Sequence, residues 1–113
     1  MKDSLLYIEH MLEAVRLIQE YSRGVSYDEF AQNKELQDAV VRRLEIIGEA
    51  SNRVPEEIKS AYPQVPWKKI LGMRNIIVHD YMGVDLQEVW NVIQHDLASL
   101  KGILEKIFKH PAE

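Results

Sequence analysis

Apolar residues recur at steps of three and four along most of this chain, which is the period of one face of an α-helix. Three long stripes follow this rule. The first comprises Leu5, Ile8, Leu12, Val15 and Ile18, the second Leu36, Val40, Val41, Leu44 and Ile47, and the third Val89, Ile93, Leu97, Leu100, Leu104 and Ile107. No segment sustains the alternation with period two that is typical of a strand. The pattern predicts an all-α fold.

Local signals predict where the first helices begin and end. Gly24 is a plausible stop for the first long helix, because glycine suits the position just past a helix end. The sequence "SYDE", Ser26 to Glu29, has capping-box spacing and predicts a short helix. Asn33 is a candidate cap for the second long helix.

Two prolines and a second cap divide the remainder of the chain. Pro55 and Pro66 each suit the first turn of a helix, so we expect one short helix between them and a medium helix from 66 to about 79. "DLQE", 85–88, again has capping-box spacing and opens the last long helix, which continues to Pro111. The expected architecture is an antiparallel helical bundle of three long helices plus shorter ones.

Composition narrows the class of protein. The 113 residues suit one domain, 1–113, and no apolar run is long enough to cross a membrane. The amphipathic start does not look like a signal peptide. The absence of cysteine excludes disulfides and thiolate metal sites and favours a reducing cytoplasm. A net charge of −4 argues against a broad nucleic-acid surface, although a small basic pocket is compatible with it.

The width of the apolar stripes bears on assembly. The three stripe-bearing helices are long for so small a chain, so apolar surface can remain after one copy folds. We therefore expect a homodimer. The alternative is that the stripes bury one another completely within one chain.

The most informative short segment is "RNIIVHDY", 74–81. Histidine can take or give a proton near neutral pH, and arginine offers a fork of donors to a phosphate. Together they suit phosphoryl transfer, and on RNA the 2′-hydroxyl can serve as the nucleophile without a metal. On a regular helix Arg74 and His79 lie about 140° apart. They therefore meet only if the arginine wraps around, the helix deforms or ends, or two chains share a cleft. From spacing alone, a surface arginine that forms a salt bridge and a half-buried, satisfied histidine are the more common explanation of such a pair.

This segment resembles the R-x4-H-x-Y motif of the HepT-like ribonucleases, the toxin branch of the HEPN superfamily. The resemblance continues through "YDEFAQNKELQDAVVRRLEIIGEA", Trp67 and "KKILGMRNIIVHDYMGVDLQEVWNVI", and so covers nearly the whole chain. The diagnostic residues Arg74, His79 and Tyr81 are all present.

The resemblance implies an all-α HEPN-type fold and a homodimeric, metal-independent endoribonuclease with its cleft at the dimer interface. Arg74 and His79 would form the catalytic pair, acting on a transfer or messenger RNA without a cofactor. The partner implied is a minimal nucleotidyltransferase antitoxin that transfers AMP to Tyr81. An AMP group beside the pair would occupy the arginine and repel an RNA phosphate.

Three polar residues of the second long helix are further candidates. Arg42 and Glu49 are seven apart and share a face, and Arg43 is adjacent to the apolar stripe. They could orient the cleft or bind phosphate. The alternative is a solvated face or an interface ion pair.

Residues near the motif receive lesser roles. Asn75 shares a helix face with His79 and could support it, whereas Asp80 is expected to cap or contact the following turn. Trp67 and Trp90 lie among apolar neighbours and are expected to pack in the core or an interface. The other histidines are scattered without metal-ligand spacing, so no metal is predicted.

Two other functions remain open. An inactive helical dimer could serve a nucleotidyltransferase as a binding partner or scaffold, and the net charge of −4 mildly favours it. A structural bundle without a partner enzyme would leave the Arg–His–Tyr spacing as coincidence.

Overall fold

The computed structural model describes residues 2–71 and 85–109, with side chains from residue 5 onward. These residues form helices and connecting turns, and no strand occurs among them. The helices are α1 (Lys2–Ser22), α2 (Tyr27–Gln32), α3 (Lys34–Arg53), α4 (Glu56–Ala61), α5 (67–71, at the edge of the described range), α6 (Leu86–Asn91) and α7 (Leu97–Lys109). The all-α prediction is confirmed.

Helices α1, α3 and α7 form the body of the bundle, with α1 packed against both of the others. The first residues of α1 share a cleft with the last residues of α3, so these two helices run antiparallel. Trp90 of α6 packs on Phe30 of α2, the helix that follows α1, with 5.2 Å between ring centroids, and Arg16 of α1 pairs with Glu105 of α7. Helix α7 therefore also runs antiparallel to α1, as the sequence predicts.

The predicted stripes supply the core. Every member of the third stripe is buried, and in the first two stripes only Leu5 and Leu36 are half-buried. Burial of this apolar surface is the main favourable contribution to folding. Among the described residues, Leu6 and Phe108 are the large apolar side chains that stay exposed, at 44% and 41%. The described stripes thus bury most of their apolar surface within one chain.

The predicted helix signals act locally. Helix α1 ends at Ser22, and Gly24 follows with a φ of 71°, a left-handed conformation that glycine adopts readily. Asn33 caps α3 by accepting a hydrogen bond from the Leu36 N–H, and Asp85 accepts from the N–H groups of residues 87 and 88. Each side chain satisfies a backbone donor that has no partner within its helix.

Ser26 and Glu29 form a complete capping box. The Ser26 hydroxyl accepts from the Glu29 N–H at 3.1 Å, and the Glu29 carboxylate accepts from the Ser26 N–H at 3.0 Å. These bonds, the one to the Ser26 backbone first, lower the pKa of Glu29 from its ordinary 4.5. The capping box with an ionised Glu29 therefore stabilises the protein at neutral pH. This contribution is lost as the pH falls through the lowered pKa of Glu29.

A π turn, Val92–Asp96, joins α6 to α7, and sequence reasoning did not predict it. The Leu97 N–H donates to the Val92 carbonyl, five residues back. The stripe takes two successive steps of four here, from Val89 to Ile93 to Leu97, which would rotate it by about 80° on a regular α-helix. The wider turn absorbs this rotation and keeps all three side chains in the core.

No helix in the described part of the chain is both long enough and apolar enough to cross a membrane.

Candidate functional site

The motif predicted from the sequence lies outside the described residues. This applies to Arg74, Asn75, His79, Asp80 and Tyr81. Their proposed roles therefore stay predictions, and the described residues define the surroundings from which the motif segment departs at 71 and returns at 85.

The three candidates on α3 differ in their surroundings. Arg42 and Glu49 are both exposed on this continuous helix, which confirms that they share an accessible face. Arg43 is half-buried, and its Nε atom is buried without a hydrogen-bond partner among the described residues. No ion pair links Arg42 or Arg43 to Glu49 in that part of the chain.

Glu49 lines a small cleft between α1 and α3. The cleft has a volume of about 280 Å³, and Tyr7, His10 and Arg53 line it with Glu49. The rings of Tyr7 and His10 meet edge to face, with centroids 6.3 Å apart. Sequence reasoning did not assign Tyr7, His10 or Arg53. Tyr7 and His10 are three residues apart on α1, and Glu49 and Arg53 are four apart on α3, so each pair lies on one face of its helix. Only the antiparallel packing of α1 and α3 brings the two faces together.

A larger cleft, which we call the lysine cleft, lies where the end of α3, helix α4 and the first turn of α5 meet. Its volume is about 790 Å³. It is lined by Ser51, Asn52, Glu56, Lys59, Ser60, Pro63, Val65, Pro66, Trp67, Lys68, Lys69 and Leu71. Three lysines and one glutamate thus border it, so it is a locally basic feature of an acidic chain.

Local structure explains how the lysine cleft is held. The Ile70 N–H donates to the Pro66 carbonyl at 3.0 Å, which starts α5, and the Ile70 side chain is buried. The Trp67 indole Nε1–H donates to the Tyr62 carbonyl at 3.1 Å and anchors the loop between α4 and α5. With Ile70 turned inward, Lys68 and Lys69 are left on the exposed side.

Both tryptophans pack as predicted. Trp67 and Trp90 are half-buried against the core. Trp90 contacts Phe30 and lies 6.1 Å from Tyr27, centroid to centroid, whereas Trp67 has the Lys59 Nζ 5.9 Å from its ring centroid. Trp67 therefore combines packing with a cation–π contact at the cleft wall.

The described residues contain no group of three or more His, Asp or Glu side chains arranged to hold a metal ion. Glu88, His95 and Asp96 come together with Lys69 beside the π turn in a smaller cleft of about 380 Å³. There Lys69 pairs with Asp96, with 3.2 Å between Nζ and Oδ2.

Similarity to known proteins covers most of the chain. The family model described as Ribonuclease HepT-like matches residues 11–107, a range that contains "RNIIVHDY". A Thermococcus cleftensis protein named probable ribonuclease HepT is 42% identical over 103 residues, which cover 91% of this chain and 94% of that protein.

Two further relatives bear on function. A Methanocaldococcus jannaschii protein, named "gamma-glutamylcyclotransferase and putative RNase", is 44% identical over 108 residues, or 96% of this chain and 49% of that protein. A Shewanella oneidensis protein named mRNA nuclease HepT is 28% identical over 116 aligned positions, covering 81% of this chain and 85% of that protein. No solved structure matches this chain.

Proposed function

Because the chain belongs to the HepT-like ribonuclease family, and so to a class of RNA-cleaving enzymes, we propose that it is the endoribonuclease toxin of a toxin–antitoxin pair. The observation that carries this proposal is the complete R-x4-H-x-Y motif within the family match. The messenger-RNA nuclease named among the relatives supports RNA as the substrate.

The chemistry proposed for the motif needs no metal. The 2′-hydroxyl oxygen of a ribose attacks the adjacent phosphorus, and the bond from phosphorus to the 5′ oxygen of the next nucleotide breaks. His79 takes the proton of the attacking hydroxyl, and the departing oxygen takes up a proton. Arg74 stabilises the charge that develops on the phosphoryl oxygens. The products are a cyclic phosphate and a 5′-hydroxyl end.

Tyr81 is the proposed control point. A minimal nucleotidyltransferase antitoxin would transfer AMP from ATP to the Tyr81 hydroxyl and release pyrophosphate. The attached phosphodiester carries negative charge two residues from His79 in the sequence, where it competes with an RNA phosphate for Arg74. Modification would thus switch cleavage off without unfolding the bundle.

We also propose that the active form is a homodimer. Arg74 and His79 fall on different sides of a regular helix, so a cleft shared between two copies offers one way for the two side chains to meet. The resemblance to homodimeric family members supports this arrangement.

The decisive experiment compares His79→Ala with the unmodified wild type on a labelled RNA, in the presence of EDTA. We expect wild-type cleavage to persist in EDTA and the variant to lose about 10²–10⁴-fold in rate, the usual contribution of a positioned acid–base group. His95→Ala is the matched control, because His95 is an exposed histidine of the π turn outside the motif. Circular dichroism should show the same helix content in all three proteins.

The same assay, repeated after co-expression with the nucleotidyltransferase, tests the control point. Intact mass should rise by AMP units in wild type but not in Tyr81→Phe, and the mass gain should coincide with loss of cleavage. Tyr21→Phe is the control substitution on α1.

The outcomes separate the two functional classes. A fully active His79→Ala variant would refute the catalytic assignment. If verified unmodified wild type cuts no RNA yet binds the nucleotidyltransferase tightly, the chain is an inactive binding partner or scaffold, and Arg74 and His79 are structural.

A further inference from the structure

Charge is distributed unevenly along this chain. Residues 58–79 contain Lys59, Lys68, Lys69 and Arg74 and no acidic residue, whereas the remainder holds ten basic and eighteen acidic residues. A protein with a net charge of −4 thus keeps one continuous basic segment, and that segment ends at the motif histidine. Local charge of this kind concentrates anionic ligands even when the whole protein is acidic.

The fold brings this segment together at one place. Lys59 is on α4 and Lys68 is on α5, nine residues apart in the sequence, yet both line the lysine cleft. The lining extends to Leu71, three residues before Arg74. Three residues of chain span at most about 11 Å, so covalent geometry alone keeps the edge of the cleft close to where the motif begins.

The three lysines of the cleft differ in whether they already form an ion pair. Lys69 is paired with Asp96 across to the π turn. Neither Lys59 nor Lys68 forms an ion pair with any residue in the described ranges. Lys59 is half-buried and held near the Trp67 ring, which limits the rotamer entropy it would lose on binding.

The remaining walls of the cleft suit a nucleotide. Pro63, Pro66 and Trp67 provide apolar surface, while Asn52 and Ser60 add amide and hydroxyl groups and Glu56 contributes one carboxylate. A single strand presents both phosphates and unstacked bases, whereas a duplex keeps its base faces stacked inside. Grooves that combine cations with aromatic surface are typical sites for single-stranded nucleic acid.

We propose that the lysine cleft binds the backbone of single-stranded RNA beside the cut, with Lys59 and Lys68 contacting its phosphates. This inference rests on the proposed function, because it names where the substrate of that nuclease runs. Trp67 acts as a positioning residue that holds Lys59 and lines the path of the strand.

The test measures RNA affinity in the full-length His79→Ala protein, which permits binding without cleavage. A double substitution, Lys59→Gln with Lys68→Gln, is compared with Lys34→Gln with Lys106→Gln, two exposed lysines on α3 and α7. Both pairs change the net charge equally. The probe is a fluorescently labelled single-stranded RNA, followed by anisotropy over a range of salt concentrations.

We expect the double substitution Lys59→Gln with Lys68→Gln to weaken RNA binding about tenfold at low salt. It should also reduce the slope of log binding constant against log salt concentration by about 1.4, since each single-strand phosphate contact contributes about 0.7. At about 0.15 M salt, where the Debye length is about 8 Å, the control pair should stay within about twofold of the parent, because distant exposed charges are then screened. Lys68→Arg should retain most of the affinity that Lys68→Gln loses.

The failures are distinguishable. If the parent binds RNA and the Lys59→Gln/Lys68→Gln variant has the same RNA affinity as the control variant, the cleft inference is wrong and the nuclease proposal stands. If the parent binds no RNA and wild type cuts none, both proposals fail. An equal loss on the annealed duplex would overturn the single-strand assignment. Should the double variant unfold, the exposed Lys68→Gln alone decides, and unchanged affinity there would overturn the proposal.

Discussion

The body of the bundle and the lysine cleft differ in what they do with their side chains: the bundle buries apolar ones, and the cleft exposes charged ones. Helices α1, α3 and α7 bury side chains such as Ile8, Ile18 and Leu104 completely. At the lysine cleft the chain instead leaves Lys68 exposed and Trp67 half-buried around an open volume. The bundle holds most of the apolar burial that stabilises the fold, whereas the cleft holds exposed charge, which contributes little to stability and which we propose attracts RNA.

This separation has a functional consequence. If the lysine cleft binds RNA as we propose, stability and RNA recognition reside on different helices. Substitutions in the bundle should then change the free energy of unfolding without changing RNA affinity, and substitutions at the cleft should do the reverse. Three measurements of stability test this separation.

The largest effect is expected from Leu104→Ala in α7. Leu104 is fully buried, so its truncation leaves a cavity and should lower the free energy of unfolding by about 2–5 kcal/mol. Urea denaturation measures this value. Leu6→Ala makes the same chemical change at a side chain that is 44% exposed and should cost well under half as much. Equal losses at both positions would mean that the bundle core is not where this stability resides.

An intermediate effect is expected from Ser26→Ala at the start of α2. The variant loses the hydroxyl that accepts from the Glu29 N–H, and loss of such a cap typically costs about 1 kcal/mol. Thermal unfolding at neutral pH checks this expectation. Ser99→Ala, at an exposed site of α7, serves as the control. An unchanged melting temperature in Ser26→Ala would show that the cap contributes no measurable stability and that the other contacts of α2 hold it.

The smallest effect is expected from the Lys69–Asp96 pair at the rim of the cleft. Both side chains are largely exposed, at 61% and 42%, so solvent screens their attraction. A double-mutant cycle with Lys69→Gln and Asp96→Asn should give a coupling of about 0.2–1 kcal/mol. A coupling comparable to the Leu104→Ala loss would erase the distinction between scaffold and cleft.

Much of the scaffold was predictable because its signals are local. Ser26, Asn33 and Asp85 cap the helices that they were expected to cap, since a cap depends on a side chain and the backbone two or three residues away. The shared face of Arg42 and Glu49 follows from helical period alone. The π turn was missed because the third stripe continues through it without a break.

The two clefts were harder to predict. Trp67 was correctly expected to pack, but its contact with Lys59 depends on how the loop between α4 and α5 folds back. Tyr7 and His10 gave no sign that they would meet Glu49, because that cleft requires two helices to pack antiparallel. The catalytic roles of Arg74 and His79 and the modification of Tyr81 stay predictions, with the cleavage and mass assays as their tests.

Local sequence patterns were enough to predict most of the described helices, their caps and the stripes that become the core, although not the π turn, and the motif was enough to indicate the family to which the chain belongs. These features depend on the order of residues within a few turns, so they can be recognised without a fold. The packing of separate helices, which sequence patterns do not show, places Lys59 and Lys68 in the lining of one cleft and Glu49 in the lining of another with His10 and Tyr7. Such neighbours are set by the packing of separate helices, and helical period alone does not specify which exposed faces will meet.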